Sequence, residues 1–179
     1  MKLNPARETM AKFVPPYLFS TARIDRDLVA DFFMLFARTE YALKSVKLII
    51  PQRNDRFSPD WDKFARSVGN ELMASRDAQI REAVRYLEEA PPQKQVYKGG
   101  HFEWKDRKCI DGEVAVFVIR SIVTVRNNLF HGGKEIVGLM AERDQRLIQH
   151  ALVVLAFSMT LNDEVRTAFC DIGPESEVA

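Results

Sequence analysis

Apolar positions between about Ile24 and Ile50 recur with helical spacing. Leu28, Leu35, Ala42 and Ile49 fall every seven residues, with Phe32, Thr39 and Val46 offset by four. The spacing predicts one long helix, stopped by Pro51. A second stripe on it, Val29, Phe33, Phe36 and Leu43, has Glu40 in its middle. Acids are rarely buried unpaired, so Glu40 is either a partly solvated edge carboxylate or, needing a partner to stay ionised among packed neighbours, it faces Arg126 and holds its guanidinium. Before this helix, residues 1–19 mix Pro5, Pro15 and Pro16 with Phe13, Tyr17 and Phe19. Such a stretch resists helix formation and reads as an arm lying on the domain.

After Pro51 the pattern shortens. Gln52 to Ser58 is polar and reads as loop, and Ser58-Pro59-Asp60-Trp61 reads as an N-cap with proline at the first helical position, opening a short helix to about Val68. Ser75 or Asp77 opens the next, with Ile80, Val84 and Leu87 on one face, ended by Pro91-Pro92. Val96-Tyr97-Lys98 and His101-Phe102-Glu103-Trp104 flank Gly99-Gly100, the form of a small β-hairpin. From Lys94 to Lys108 there are five Lys or Arg against two acids, a basic aromatic segment able to stack bases and meet phosphates, or to pack its rings inward as a solvated hairpin.

Between Glu113 and Phe130, Val114, Val116, Val118, Ile119, Ile122, Val123 and Val125 are β-branched, which makes a buried strand a fair competitor. Ala115, Val118, Ile119, Ile122 and Val123 nevertheless follow the three-and-four spacing, and the length suits a helix, capped by Asp111 and stopped by Gly132. A further helix is expected over about Ala141 to Met159, followed by a shorter one capped by Asn162 or Asp163. The expected architecture is all-α: a bundle of four to five main helices over residues 20–173, with a hairpin or irregular insertion near 94–108 and a loose tail at 174–179.

Composition narrows the function classes. The 179 residues carry a formal net charge of +1, so a contact with nucleic acid should be confined to a cleft or loop. The longest apolar run, Ala151 to Phe157, is far short of the roughly 18 residues that suggest a membrane span. The first residues lack the apolar core of a signal peptide, and a cytoplasmic location is expected, with no membrane partner. Cys109 and Cys170 lie 61 positions apart without a CxxC partner, which implies free buried thiols and no zinc site. A di-iron bundle needs Glu-x-x-His pairs, but Lys98, Asn128 and Leu147 stand three before the three histidines. Gly99-Gly100 and Gly132-Gly133 lack the further glycines and lysine of a nucleotide-binding loop.

The chemistry gathers in Arg126-Asn127-Asn128-Leu129-Phe130-His131-Gly132-Gly133-Lys134. This stretch resembles the signature of HEPN domains, in which an arginine followed by a polar residue precedes a histidine by four to six positions. Phe32 to Lys44 is similar to their aromatic-rich opening helix. The resemblance implies an all-α, commonly dimeric fold and a metal-independent endoribonuclease without cofactor, of the toxin, stress or phage-defence kind. Its expected partners are RNA, a second copy of the chain and an antitoxin or regulatory protein. Arg126, Asn127 and His131 are then the catalytic candidates, with Asn128, Lys134 and Glu40 beside the substrate. Gly133 stands where some toxin-type members carry a tyrosine modified by a partner nucleotidyltransferase, which puts that control in doubt.

The residue types suit the chemistry. An imidazole with an ordinary pKa near ~6.5 can shuttle the proton of a 2′-hydroxyl. A guanidinium offers two parallel donors to phosphate oxygens. Five residues at about 100° each set Arg126 and His131 roughly 140° apart on a regular helix, so the helix loosens near Phe130, the long Arg126 side chain reaches round, or, as is expected, a twofold dimer completes each cleft. The rival reading is a HEPN-like dimer without catalysis, serving as an RNA- or nucleotide-binding or regulatory module.

Overall fold

The computed structural model describes residues 25–110, 112–131 and 139–171. The expected arm at 1–19, Asp111, Gly132, Gly133, Lys134 and the tail at 174–179 lie outside them. Among the described residues the fold is mostly helical, with six helices and two small antiparallel hairpins.

Helix α1 runs from Arg26 to Ser45, and the Asp25 carboxylate opens it by accepting the N–H groups of Asp27 at 2.9 Å and Leu28 at 3.3 Å. It ends five residues before the expected Ile50. Leu48 N–H reaches back to the Leu43 carbonyl at 2.9 Å and Lys47 N–H to that of Lys44 at 3.1 Å, while Lys47 takes a left-handed φ of 59°. This is a Schellman stop with lysine where glycine usually sits. The apolar spacing that predicted a longer helix continues into a hairpin instead, β1 (Ile49–Pro51) against β2 (Phe57–Pro59). Asn54 and Asp55 turn it with φ of 58° and 55°, values their short side chains tolerate. The segment expected as polar loop is therefore mostly a hairpin.

Helix α2, Trp61–Met73, is capped by Asp60, whose carboxylate accepts Lys63 N–H at 2.9 Å. Ser58 and Pro59 belong to β2 rather than to the cap and first turn, and the helix outruns the expected Val68. Helix α3, Ala78–Glu89, starts on Asp77, and β3 (Lys94–Lys98) pairs with β4 (His101–Lys105) about the two glycines. Gly99 and Gly100 hold φ of 60° and 88°, the twist a two-residue hairpin requires. Helices α4 (Val114–His131), α5 (Leu139–Thr160) and α6 (Asp163–Cys170, capped by Asn162) follow, and Cys170, the last residue of α6, is exposed and Cys109 half-buried, so the thiols are not the buried pair expected.

Each of the first five helices sends a side chain into one core. Phe32, Phe64, Leu87, Ile119 and Leu155 are all 1% exposed or less, and burying each such group stabilises the fold by roughly 1.5–3 kcal/mol. On α1 the buried face is Phe32, Phe36, Thr39, Ala42 and Leu43, while Phe33 of the second stripe stands 45% exposed. Helices α2 and α4 approach closely at Gly69, where an added Cβ would lie 3.1 Å from that of Ala115.

Arg38 closes the other end of the bundle. Its Nε donates to the Phe169 carbonyl at 2.8 Å and its Nη2 to the Asp171 carbonyl, placing a cation on the last carbonyls of α6. Arg38→Ala is expected to lower stability by about 1.5–3 kcal/mol, as a shift in the urea midpoint; an unchanged midpoint would show α6 docked by apolar contacts alone.

Candidate nucleic-acid interface along helix α4

The β-branched run of α4 folds as a helix because its apolar residues make one continuous seam. Val118, Ile119, Ile122 and Val125 are buried at spacings of one, three and three residues, against the other helices. Packing therefore overrides strand propensity. Arg120, Thr124 and Asn127 recur at four and three residues, and the next position on the same line, four further, is His131, the last residue of α4. Eleven residues at about 100° return to within ~20° of the starting azimuth, so position 131 shares the helix side of Arg120.

That polar line borders a cleft of ≈ 680 Å³ between α4, the second hairpin, the β1–β2 hairpin and the start of α2. Asn127 and Asn128 line one end of it, with Lys94, Arg107 and Arg120 further along and Tyr97 and Phe102 on the hairpin wall. A second cavity of ≈ 540 Å³ continues toward the N-terminal half of α4, sharing Asp62, Lys94, Arg107 and Arg120 with the first. Across both, the cations are Arg66, Lys94, Lys105, Arg107, Lys108 and Arg120, and the acids are Asp62, Asp106 and Glu113.

Two of those acids are already engaged. Asp62 pairs with Arg120, and Glu113 with Arg66 at 3.0 Å, so each spans α2 and the α4 end of the fold. The hydrogen bond from Arg120 holds the Asp62 carboxyl below its usual range, against the opposing effect of burial. Asp106 accepts from Gln93 Nε2 at 2.8 Å. Lys94, Lys105, Arg107 and Lys108 are left without a carboxylate among the described residues.

Arg107 is the most constrained of these cations. Its Nη1 donates to Ser121 Oγ at 3.0 Å and its guanidinium lies 4.9 Å from the Phe117 ring centroid. Burial, and then the neighbouring Arg120 charge, push its pKa down from the ordinary arginine value. A half-buried guanidinium beside a second cation is stabilised by an incoming anion.

The residues singled out by sequence divide. Asn127 faces the cleft and its Oδ1 accepts from Arg126 Nη1 at 3.1 Å. Arg126 itself turns toward α1, its guanidinium 5.5 Å from the Phe36 ring centroid. Asn128 also lines the cleft, but its Nδ2 donates to the Gln93 carbonyl at 2.8 Å and so ties the hairpin to α4. Glu40, one turn beyond Phe36, is half-buried and makes no hydrogen bond or ion pair with a described residue. The expected Glu40–Arg126 pair does not form; the ring of Phe36, not the carboxylate, seats the guanidinium. Lys134 lies outside the described residues, and of His131 only the backbone position is described.

The other two histidines are elsewhere. His101, at the hairpin tip, bonds Glu103 at 2.8 Å. His150 lies against Tyr86, ring centroids 4.4 Å apart, and burial, with Arg146, lowers its pKa against the opposing pull of Glu82. The unfolded chain therefore binds the proton more readily than the folded one. Stability is expected to fall as pH drops through 6.5 and to level off below the folded-state pKa. Urea midpoints between about pH 7.5 and 5 should show a step that His150→Phe removes; an identical step in the variant would assign it to another group.

Sequence reasoning flagged the basic segment 94–108, with Arg107 among its five cations though not singled out, but missed Arg120, Trp61 and Asp62. The repeat of Arg120, Thr124, Asn127 and His131 along an otherwise apolar helix was the available signal for the cleft wall. Among the described residues, no group of three or more His, Cys, Asp or Glu is placed to hold a metal ion, and no helix is long and apolar enough to cross a membrane. No protein-family model, curated protein or solved structure matches this chain.

Proposed function

We propose that this protein acts on RNA as a metal-independent endoribonuclease of HEPN type, using Arg126, Asn127 and His131 at the end of α4. The observation that carries the reading is that the motif's Asn127 lines a cleft supplied with unpaired cations and exposed aromatic rings. Position 131, the histidine of the motif, closes the line that runs from Arg120 through Asn127 to the end of α4. There the imidazole accepts the 2′-hydroxyl proton as that oxygen attacks the adjacent phosphorus, and the imidazolium so formed gives the proton to the 5′-oxygen as the P–O5′ bond breaks, leaving a 2′,3′-cyclic phosphate.

Arg126 occupies a different azimuth, turned toward Phe36, and its link to the cleft runs through the Asn127 amide oxygen. A twofold dimer pairing the two α4 ends supplies a second guanidinium to each cleft and removes the difficulty. The alternative, an RNA-binding dimer without catalysis, is favoured by the same basic lining.

Incubation of the full chain with structured RNA in excess EDTA separates the two. Cleavage abolished in His131→Ala supports the nuclease; stable retention of intact RNA supports the binding module. A reaction that requires added magnesium contradicts both the mechanism and the role of His131.

A further inference from the structure

We propose that the groove along α4, from the second hairpin to α2, holds a single-stranded RNA segment, with Arg107 as its phosphate anchor and Tyr97 and Phe102 as its base-stacking platform. The inference rests on the reading of the ligand as RNA and adds where, and in which form, the strand binds.

The two cavities form one track. They share Lys94, Arg107 and Arg120 and follow α4 from Val116 to Asn128, a length of about 18 Å at 1.5 Å per residue. A phosphodiester chain places one charge per nucleotide along such a path. Arg107 fits the anchoring role because Ser121 and Phe117 fix its position, so little side-chain entropy is lost when it meets a phosphate. Arg120 already shares its charge with Asp62, whereas Lys94 is exposed and adjusts to the strand.

The platform is equally specific. Tyr97 and Phe102 are direct cross-strand partners on the hairpin, their centroids 5.2 Å apart, and they stand 68% and 70% exposed. Rings of that size are not left in water by a hairpin that merely packs its aromatics inward. Every base has a π-face to cover them, and only an unpaired base can present it. A duplex keeps its bases stacked on one another, and an acidic peptide meets the cations without covering the rings.

The test is fluorescence anisotropy of the full chain with a labelled 2′-O-methyl oligouridine in EDTA. Its blocked 2′-hydroxyl separates binding from cleavage. The expected result is that Tyr97→Ala with Phe102→Ala weakens binding by about tenfold or more with the salt slope unchanged. Arg107→Ala should weaken it by about tenfold and reduce the salt slope by about 0.7, and Arg107→Lys should retain part of the affinity. Arg166→Ala, outside the groove, should bind as wild type. The exposed rings can be removed without opening the core, and a circular-dichroism melt checks the Arg107 variants. Equal binding of the annealed duplex or of polyglutamate, or wild-type affinity in both the double-ring and Arg107 variants, overturns the proposal. Groove-dependent binding in a protein that cleaves no RNA leaves the proposal standing and defeats the nuclease; cleavage indifferent to every groove substitution does the reverse.

Discussion

Replacing His131 with alanine is expected to reduce RNA cleavage by about 100- to 10,000-fold, the contribution of one positioned proton shuttle. The helix itself should survive, because the seam that holds α4 in place, Val118, Ile119, Ile122 and Val125, ends before that position. An unaltered circular-dichroism melt alongside the lost activity would locate the defect in chemistry. Mixing His131→Ala subunits with Arg126→Ala subunits extends the test. Because the two residues lie on different sides of α4, a composite cleft should regain activity in the mixed dimer. Full cleavage by His131→Ala would remove the residue from the mechanism.

The second large effect is expected at Phe36. Its ring is 2% exposed, stacks on Trp61 with centroids 5.0 Å apart, and carries the Arg126 guanidinium at 5.5 Å. Phe36→Ala removes a core ring and should lower stability by about 3–5 kcal/mol, a large share of the roughly 5–15 kcal/mol that holds a domain together. Phe36→Leu preserves most of the volume and should lose less than about 1.5 kcal/mol. The leucine nonetheless offers no π-face, so the guanidinium loses its ring contact while keeping its bond to Asn127, and cleavage should fall beyond the change in stability. Urea denaturation and single-turnover cleavage on the same preparations separate the two effects. A Phe36→Leu protein that cleaves like wild type would show that this contact does not position Arg126.

The helices were legible where packing and local capping agree. Asp77, weighed against Ser75, and Asn162, weighed against Asp163, cap their helices, Gly99-Gly100 announced the second hairpin, and the spacing of Val118, Ile119 and Ile122 overruled β-branched propensity in α4. The errors fell where backbone geometry was carried by residues that do not advertise it. Lys47 adopts a left-handed φ, so α1 stops without a glycine, and Pro51 and Pro59, which argue against strands, sit in the short β1–β2 ladder.

The candidate site was legible in one dimension only. The Arg126 to His131 spacing marked the end of α4, but the partner of each side chain depends on elements far along the chain. Phe36, ninety positions earlier, takes the place expected for Glu40, and Arg107 joins Arg120 only because the strand β4 returns past α4. Local pattern cannot encode such meetings. A four-three-four polar line on an apolar helix is the part that sequence does carry.

The most direct measurement is the chemistry of the RNA ends produced by the full chain in EDTA. Attack by the neighbouring 2′-hydroxyl predicts fragments ending in a 2′,3′-cyclic phosphate, and no cut at a position carrying a 2′-deoxy sugar. Fragments ending in a 3′-hydroxyl, or cleavage that continues through the 2′-deoxy position, would contradict the account.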